Sequence, residues 1–485
     1  MSSPEKLAGS VLVSGFDGTT APDWLRRKVA DGLGGAILFG RNVVDDEQVA
    51  ALSAQLRAER PDVLIGIDEE GGDVTRLDVA TGSFVPGPLA LGAADDVELT
   101  ASVAAALGER LAACGVTINF APCADLTLAA EDPSIGVRAF GSDPVKASPH
   151  VAAYITGMQK YGVAASAKHF PGHGAATDDS HHSLPVLPRT EAELREIELV
   201  PFQAAIAAGV RAVMTGHLVV PAWGDLPATL NPKALTDVLR GELGFTGAVV
   251  TDALDMGAIA GELGKTEGVG RAAVRALIAG ADALCLGGVS FEEDELNRIA
   301  AVIAAAVQAG ELPLERLAEA SERVAALGAA PAPTPITAPD HRLGMEAARK
   351  ALRIQGSPKL AGPPLVIDIE TEPIVAAGPM PWGLGPHLTG LVPGTRALKV
   401  TGDGIATAID AVHGARDLVI VTREAHRHPE VREFLAWLRE SGGEYIRVET
   451  GAPGPETDGP RIDTFSGSYV SLRAAAEYLA GEHLA

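Results

Sequence analysis

The chain has 485 residues, enough for two to four domains at roughly 150 residues each. It is 47% hydrophobic and 21% charged, the balance of a globular protein with a large core, and its net charge of -24 excludes a nucleic-acid partner, whose phosphates need lysine and arginine. Cys114, Cys123 and Cys285 are odd in number and form no CxxC pair, which excludes a disulfide framework and a cysteine zinc cage.

From the N-terminus, MSSPEKLAGSVLVSG lacks a basic segment leading into a long apolar one, and no run of about 18 apolar residues occurs anywhere. The expectation is a cytoplasmic protein with no membrane span. Short apolar runs then alternate with segments of helical periodicity. The strand candidates are 11–13, 36–39, 63–67, 116–120, 163–167, 212–215, 248–251 and 283–286. Helical spacing covers 24–30, 45–60, 97–114, 145–161, 191–208, 232–243, 267–279 and 292–309. Strands alternating with helices imply parallel βα units, and eight of them predict a (β/α)₈ TIM-type barrel over residues 1–328; a doubly wound sheet is the competing arrangement. Residues 329–340, rich in proline and alanine, read as a linker. A second alternation follows in 341–485, with strands at 364–367, 397–400, 418–422 and 445–448 and helices at 405–412, 430–439 and 472–479. It predicts a smaller three-layer α/β accessory domain, and the linker predicts that the barrel folds without it.

Polar residues gather where the barrel strands end. Asp68 follows the third strand, Asp125 the fourth, Lys168 and His169 the fifth, His217 the sixth and Asp252 the seventh. Strand C-terminal ends form the working face of such a barrel. Asp252, in GAVVTDALDM, can attack an electrophilic carbon or simply cap the following helix; spacing leaves the two even. Asp255 is the local alternative.

The stretch 168–182, KHFPGHGAATDDSHH, is a long loop dense in titratable groups. Its Asp179-x-His181 pair has the form of a proton-transfer dyad, in which the carboxylate orients and charges the imidazole; Asp178 and His182 stand beside it as competitors. The loop histidines could instead hold a metal, but there is no HExxH and no second cluster of ligand spacing, so no metal is expected. Lys168 and His169 end a buried strand and suit hydrogen bonding to substrate hydroxyls. Asp68 can accept from two adjacent hydroxyls, and Arg76 follows on the same loop, IDEEGGDVTRL. Arg138, in SIGVRAFGSDP, offers a fork for a carboxylate or acyl carbonyl; alone, such an arginine is more often a surface ion pair.

Together, IDEEGGDVTRL, GVRAFGSDP, KHFPGHGAATDDSHH, MTGHL and VVTDALDM resemble glycoside hydrolase family three, and within it the bacterial β-N-acetylglucosaminidases. The resemblance covers roughly residues 5–325. It implies that Asp252 is the nucleophile, His181 and Asp179 the acid/base dyad, and Asp68, Arg76, Arg138, Lys168 and His169 the groups that bind the terminal sugar. Two positions depart from the family pattern: Asp73 replaces the arginine of EEGGRV, and Ala253 replaces the second aspartate of SDDL. The implied activity is retaining, exo-acting removal of N-acetylglucosamine from peptidoglycan fragments or chitooligosaccharides, with no cofactor. A histidine in place of an acidic carboxylate removes a negative charge, so phosphate could act as acceptor and release sugar 1-phosphate. A β-glucosidase of the same family and a non-catalytic sugar-binding barrel are the other readings.

Overall fold

The computed structural model describes residues 3–482 except 133, 177–183, 257, 258, 260–264, 288, 289, 332, 402, 403 and 456–458. The chain forms two compact units. The first comprises Met1–Glu70, Thr100–Ile135 and Ser142–Ala338; the second comprises Gly71–Leu99, Gly136–Gly141 and Pro339–Ala485. The change of unit at 338/339 falls inside the proline-rich segment, while two stretches of the barrel sequence belong to the second unit.

The first unit is an eight-stranded parallel sheet of β1 (Leu12–Gly15), β2 (Gly35–Leu38), β3 (Leu64–Ile67), β4 (Ile118–Asn119), β5 (Ala164–Phe170), β6 (Ala212–Thr215), β7 (Ala248–Thr251) and β8 (Leu284–Leu286). The order is β7-β6-β5-β4-β3-β2-β1-β8, and a parallel bridge between Val250 and Ala283 joins the two ends into a barrel. Each strand lies at one of the eight apolar runs. The interior is aliphatic, with Val13, Ile37, Leu64, Ile118, Ala164, Ala212, Ala248 and Cys285 buried together. Phe120 supplies bulk, and its ring occupies the space that a side chain at Gly66 would need.

Two elements differ in extent from the sequence reading. β4 is short because it runs into Ala121–Pro122, and proline has no N–H for the ladder. β5 runs on to Phe170, so Lys168 and His169 lie inside its end; Lys168 N–H donates to Pro122 O at 3.1 Å, and Ala124 N–H donates to Lys168 O at 2.6 Å. The single helix expected over 191–208 is two, Glu191–Glu196 and Leu199–Ala207, with Pro201 in the first turn of the second and unable to donate back to residue 197.

The strand N-terminal end of the barrel carries a buried charge of its own. Asp282, just before β8, accepts from Arg240 Nη2 at 2.6 Å, from Arg323 Nη1 at 3.1 Å and from Arg316, and it also accepts from Val249 N–H at 2.8 Å. This carboxylate is fully absorbed by structure, as expected of the face opposite the working one.

The second unit holds β9 (Arg353–Gln355), β10 (Leu365–Glu370), β11 (Arg396–Thr401), β12 (Leu418–Thr422), β13 (Ile446–Glu449) and β14 (Arg461–Asp463), in the order β11-β10-β12-β13-β14-β9. Only β9 is antiparallel. Alternate side chains bury on opposite faces. Leu365, Ile367 and Ile369 pack with Val431, Phe434 and Leu435 on one side, and Val366 packs with Leu384, Leu388, Leu472 and Ala475 on the other. This is the expected three-layer form, with two strands the sequence did not reveal. β9 and β14 are three residues each, and β9 is exposed or half-buried, so neither carries an apolar run. No helix among the described residues is long and apolar enough to cross a membrane.

Within this unit, 71–99 is tied to C-terminal residues. Asp73 pairs with Arg423 and accepts from Gly467 N–H at 2.6 Å and Ser466 Oγ at 3.2 Å. Arg76 Nη2 donates to Ala376 O at 2.8 Å, and Val74 packs with Ile374 and Ala377. Gly71 and Gly72 have φ of 83° and 67°, and a side chain at Gly72 would strike Gly87. The glycine pair of the motif is therefore a backbone requirement. Cutting the chain after Ala338 strips these contacts and leaves Asp73 and its neighbours without their partners. Such a fragment should aggregate or melt well below the intact protein in a thermal scan. A soluble fragment with the intact melting temperature would show that 71–99 folds without the C-terminal residues.

Candidate active site

A closed parallel barrel brings all eight strand C-termini to one face. From β3 and β5 come the groups of a buried charge cluster. The Lys168 ammonium is 2% exposed; it donates to Asp68 Oδ1 at 2.8 Å and lies 2.8 Å from Glu70 Oε1. A lysine this deep needs such partners, because an uncompensated charge out of water is strongly disfavoured. Asp68 remains 20% exposed and Glu70 1%, so of the two acids Asp68 can also reach a ligand. The acids are themselves held. Asn119 accepts from Glu69 N–H at 2.9 Å and donates to Glu69 O at 2.7 Å. The Tyr154 hydroxyl is 3.2 Å from both the Glu69 and the Glu70 carbonyl oxygens.

Beside the lysine, His169 Nδ1–H donates to Asp125 Oδ2 at 2.7 Å. The same carboxylate accepts from His169 N–H at 3.1 Å and from His173 N–H at 2.7 Å. Burial pushes the Asp125 carboxyl up, but the charge and hydrogen bond of His169, then His173, outweigh it and hold it below the usual carboxylate range. Asp125 also ties the start of the KHFPGHG stretch to the segment after β4. Further along, Leu128 and Ala129 N–H donate to Gly174 O at 3.1 and 3.0 Å, and a side chain at Gly174 would run into the Leu126 carbonyl.

Asp252 follows β7 directly. Its own N–H donates to Thr215 O at 3.3 Å, and Ala253 N–H donates to its Oδ1 at 2.8 Å, which fixes the rotation of the carboxylate. His217, fully buried after β6, donates from Nε2 to Ala253 O at 3.0 Å and is bonded through Nδ1 to Thr229 Oγ1 at 2.7 Å. It therefore braces the turn that carries Asp252. The Cys285 thiol in β8 is pushed well above its ordinary pKa, by burial first and then by the charges of Asp252, Asp68 and Asp255. Those three carboxylates thus act on one point of the barrel interior. Asp255 accepts from Gly287 N–H at 3.0 Å, which gives it a structural task beside β8.

The first unit thus holds Asp68, Lys168, His169 and Asp252 of the residues singled out from sequence. Arg76 and Arg138 belong to the second unit, Arg138 buried in a short turn at Gly136–Arg138. Asp179 and His181 lie outside the described residues. The sequence marks Asp125 as a strand-end acid without pointing to His169 as its partner, and gives no sign that Glu70 pairs with Lys168. The signal for both was position: acids near the ends of β3 and β4, flanking a lysine and a histidine at the end of β5. Sulfur, oxygen and nitrogen ligand atoms of Cys123, Asp125 and His169 lie within 4.8 Å of one another. They are engaged internally: Cys123 Sγ faces Glu70 Oε2 at 3.7 Å, and Asp125 is saturated by His169 and the two backbone N–H groups.

Acids, a buried lysine and a carboxylate-held imidazole at this end of a parallel (β/α)₈ barrel mark the working face of a barrel enzyme. The profile of the glycosyl hydrolase family 3 N terminal domain matches residues 12–327, and the chain belongs to that family: it is a glycoside hydrolase. A β-hexosaminidase of Chromobacterium violaceum is 39% identical over 342 residues, covering 68% of this chain and 90% of its own length. One of Stenotrophomonas maltophilia is 42% identical over 247 residues, 49% of this chain and 71% of its own. The solved glycoside hydrolase family 3 β-N-acetylglucosaminidase of Paenibacillus sp. str. FPU-7 is 31% identical with a TM-score of 0.89, covering 99% of this chain and 97% of that one.

Removing the Asp125 carboxylate takes away the acceptor of His169 Nδ1–H and of two backbone N–H groups. Asp125→Ala should therefore destabilise the protein by about 3–5 kcal/mol, read by urea denaturation. Because its folded pKa is lowered, the contribution of Asp125 is complete above the ordinary carboxylate range and fades as pH falls through the lowered value. The stability of Asp125→Asn should accordingly fall less steeply on the acid side than that of the unmodified protein. Equal acid slopes would contradict this assignment.

Proposed function

We propose that this glycoside hydrolase is a retaining, exo-acting β-N-acetylglucosaminidase that works on peptidoglycan fragments or chitooligosaccharides. The observation that carries the reading is Asp252, a carboxylate held by the Ala253 amide immediately after β7, at the same barrel face as the Asp68–Lys168 pair. The relatives named β-hexosaminidase and the likeness to the Paenibacillus enzyme support the choice of sugar. A cytoplasmic location belongs to the same proposal.

In this reading Asp252 attacks the anomeric carbon while His181, charged and oriented by Asp179, protonates the departing glycosidic oxygen. The covalent glycosyl-enzyme is then opened by water, which His181 deprotonates, restoring the starting configuration. Asp68, Lys168 and His169 bind hydroxyl groups of the terminal sugar. Phosphate in place of water would give sugar 1-phosphate by the same two displacements, and product analysis with and without phosphate separates the two outcomes.

A slow fluorosugar that keeps the 2-acetamido group, followed by peptide mapping, should place the label on Asp252, and Asp252→Asn should abolish turnover with the fold intact. Label on Asp255 would sink the nucleophile assignment. His181→Ala should lose roughly 10²–10⁴-fold on a natural disaccharide, whose leaving group needs the proton, and much less in the glycosylation step of an activated aryl glycoside. Equal fractional losses would make His181 a positioning residue instead. The aryl N-acetyl-β-glucosaminide should be preferred over the glucoside, because a polar site left unfilled rejects the analogue lacking its partner. Equal kcat/KM for the two would count against the proposed sugar.

A further inference from the structure

The C-terminal sheet changes its direction of winding at β10. β11 lies on one side of it, and β12, β13 and β14 follow on the other. In an open parallel sheet the loops leaving the strand C-termini diverge at such a point and open a crevice, the usual place for a ligand. Here the crevice is a cavity of about 300 Å³, at the small end of ligand sites, which run to roughly 1,000 Å³. Its wall includes Glu370 and Thr371 at the end of β10, Lys399 of β11, Arg423 just past β12, and Trp382. Every lining residue belongs to the second unit.

We propose that this cavity is a second sugar site: it binds an uncharged saccharide of about one ring, independently of the barrel chemistry. The wall's charges are internally matched. Lys399 Nζ lies 3.1 Å from Glu370 Oε1, and Arg423 is paired with Asp73. Asp368 accepts from the Leu384 and Gly385 amides at 2.9 and 3.0 Å, so the protein's own carboxylate fills the helix N-terminus where a phosphate would otherwise sit. An anion therefore meets no uncompensated positive charge. What the wall still offers is hydrogen bonding from groups whose charge is already matched or that carry none. Arg423 Nη2 and Thr371 Oγ1 are buried and have no hydrogen-bond partner among the described residues, and both side chains line the cavity. A sugar hydroxyl is both donor and acceptor and suits the pair. Trp382, Met380 and Leu472 give the apolar surface that the C–H face of a ring requires.

The test is calorimetric titration of the full chain with N-acetylglucosamine; only the choice of this probe rests on the proposed function. Thr371→Leu, which fills the cavity, should weaken one class of binding by about tenfold or more while the thermal midpoint stays unchanged. Lys399→Met, at a half-exposed position, is the second variant and should weaken the same class. If the barrel does not take this sugar, the unmodified chain shows only the cavity's binding and Thr371→Leu shows none, so the two ideas fail separately. Crystals soaked with the sugar should show it between Trp382 and Arg423. An isotherm unchanged in both variants, an empty cavity in those crystals, or inorganic phosphate taking the place of the sugar overturns the proposal.

Discussion

A lysine ammonium buried at the end of a strand dictates much of the barrel's working face. Lys168 is out of water, so Asp68 and Glu70 must stand within reach. To stand there they need a rigid backbone, which Asn119 and Tyr154 supply through the carbonyl and amide groups of residues 69 and 70. The next residue along β5, His169, is aligned by Asp125, which also fixes His173 N–H. The polar groups near the ends of β3, β4 and β5 are thus one interlocked set. In the proposed function the sugar's hydroxyls meet side chains whose positions are already decided, which limits the ordering needed when the substrate arrives.

Both ends of the barrel hold buried carboxylates, and they are used differently. Asp282 is surrounded by three arginines and a backbone amide, with both oxygens occupied. Asp68 has the lysine and keeps a fifth of its side chain exposed. Asp252 is braced through the Ala253 amide, and the Ala253 carbonyl is in turn held by His217. Structure alone explains the first. The other two are the carboxylates to which the proposed function gives chemical roles.

The barrel was legible because parallel strands buried on both faces read as unbroken apolar runs, and eight such runs separated by helical periodicity admit few folds. The same pattern placed Asp252, Lys168 and His169 at strand ends. Less was legible where the determining contact is remote in sequence. Nothing near Asp125 announces His169, 44 residues on. Likewise, Asp73 is explained by Arg423, Ser466 and Gly467, almost four hundred residues away in the last two cases. The aspartate in place of the family's usual arginine is therefore matched within the second unit by a basic partner. The short strands β9 and β14 were missed because three residues cannot show a period.

In the proposed function the barrel face cleaves a β-glycoside by two displacements through a covalent intermediate. The most direct check is the configuration of the sugar as it is released, followed by proton NMR on an aryl N-acetyl-β-glucosaminide in phosphate-free buffer before mutarotation sets in. Double displacement predicts that the β-anomer appears first and the α-anomer only later, at the rate of spontaneous mutarotation. Initial release of the α-anomer would mean a single inverting displacement and would rule out a covalent glycosyl-enzyme.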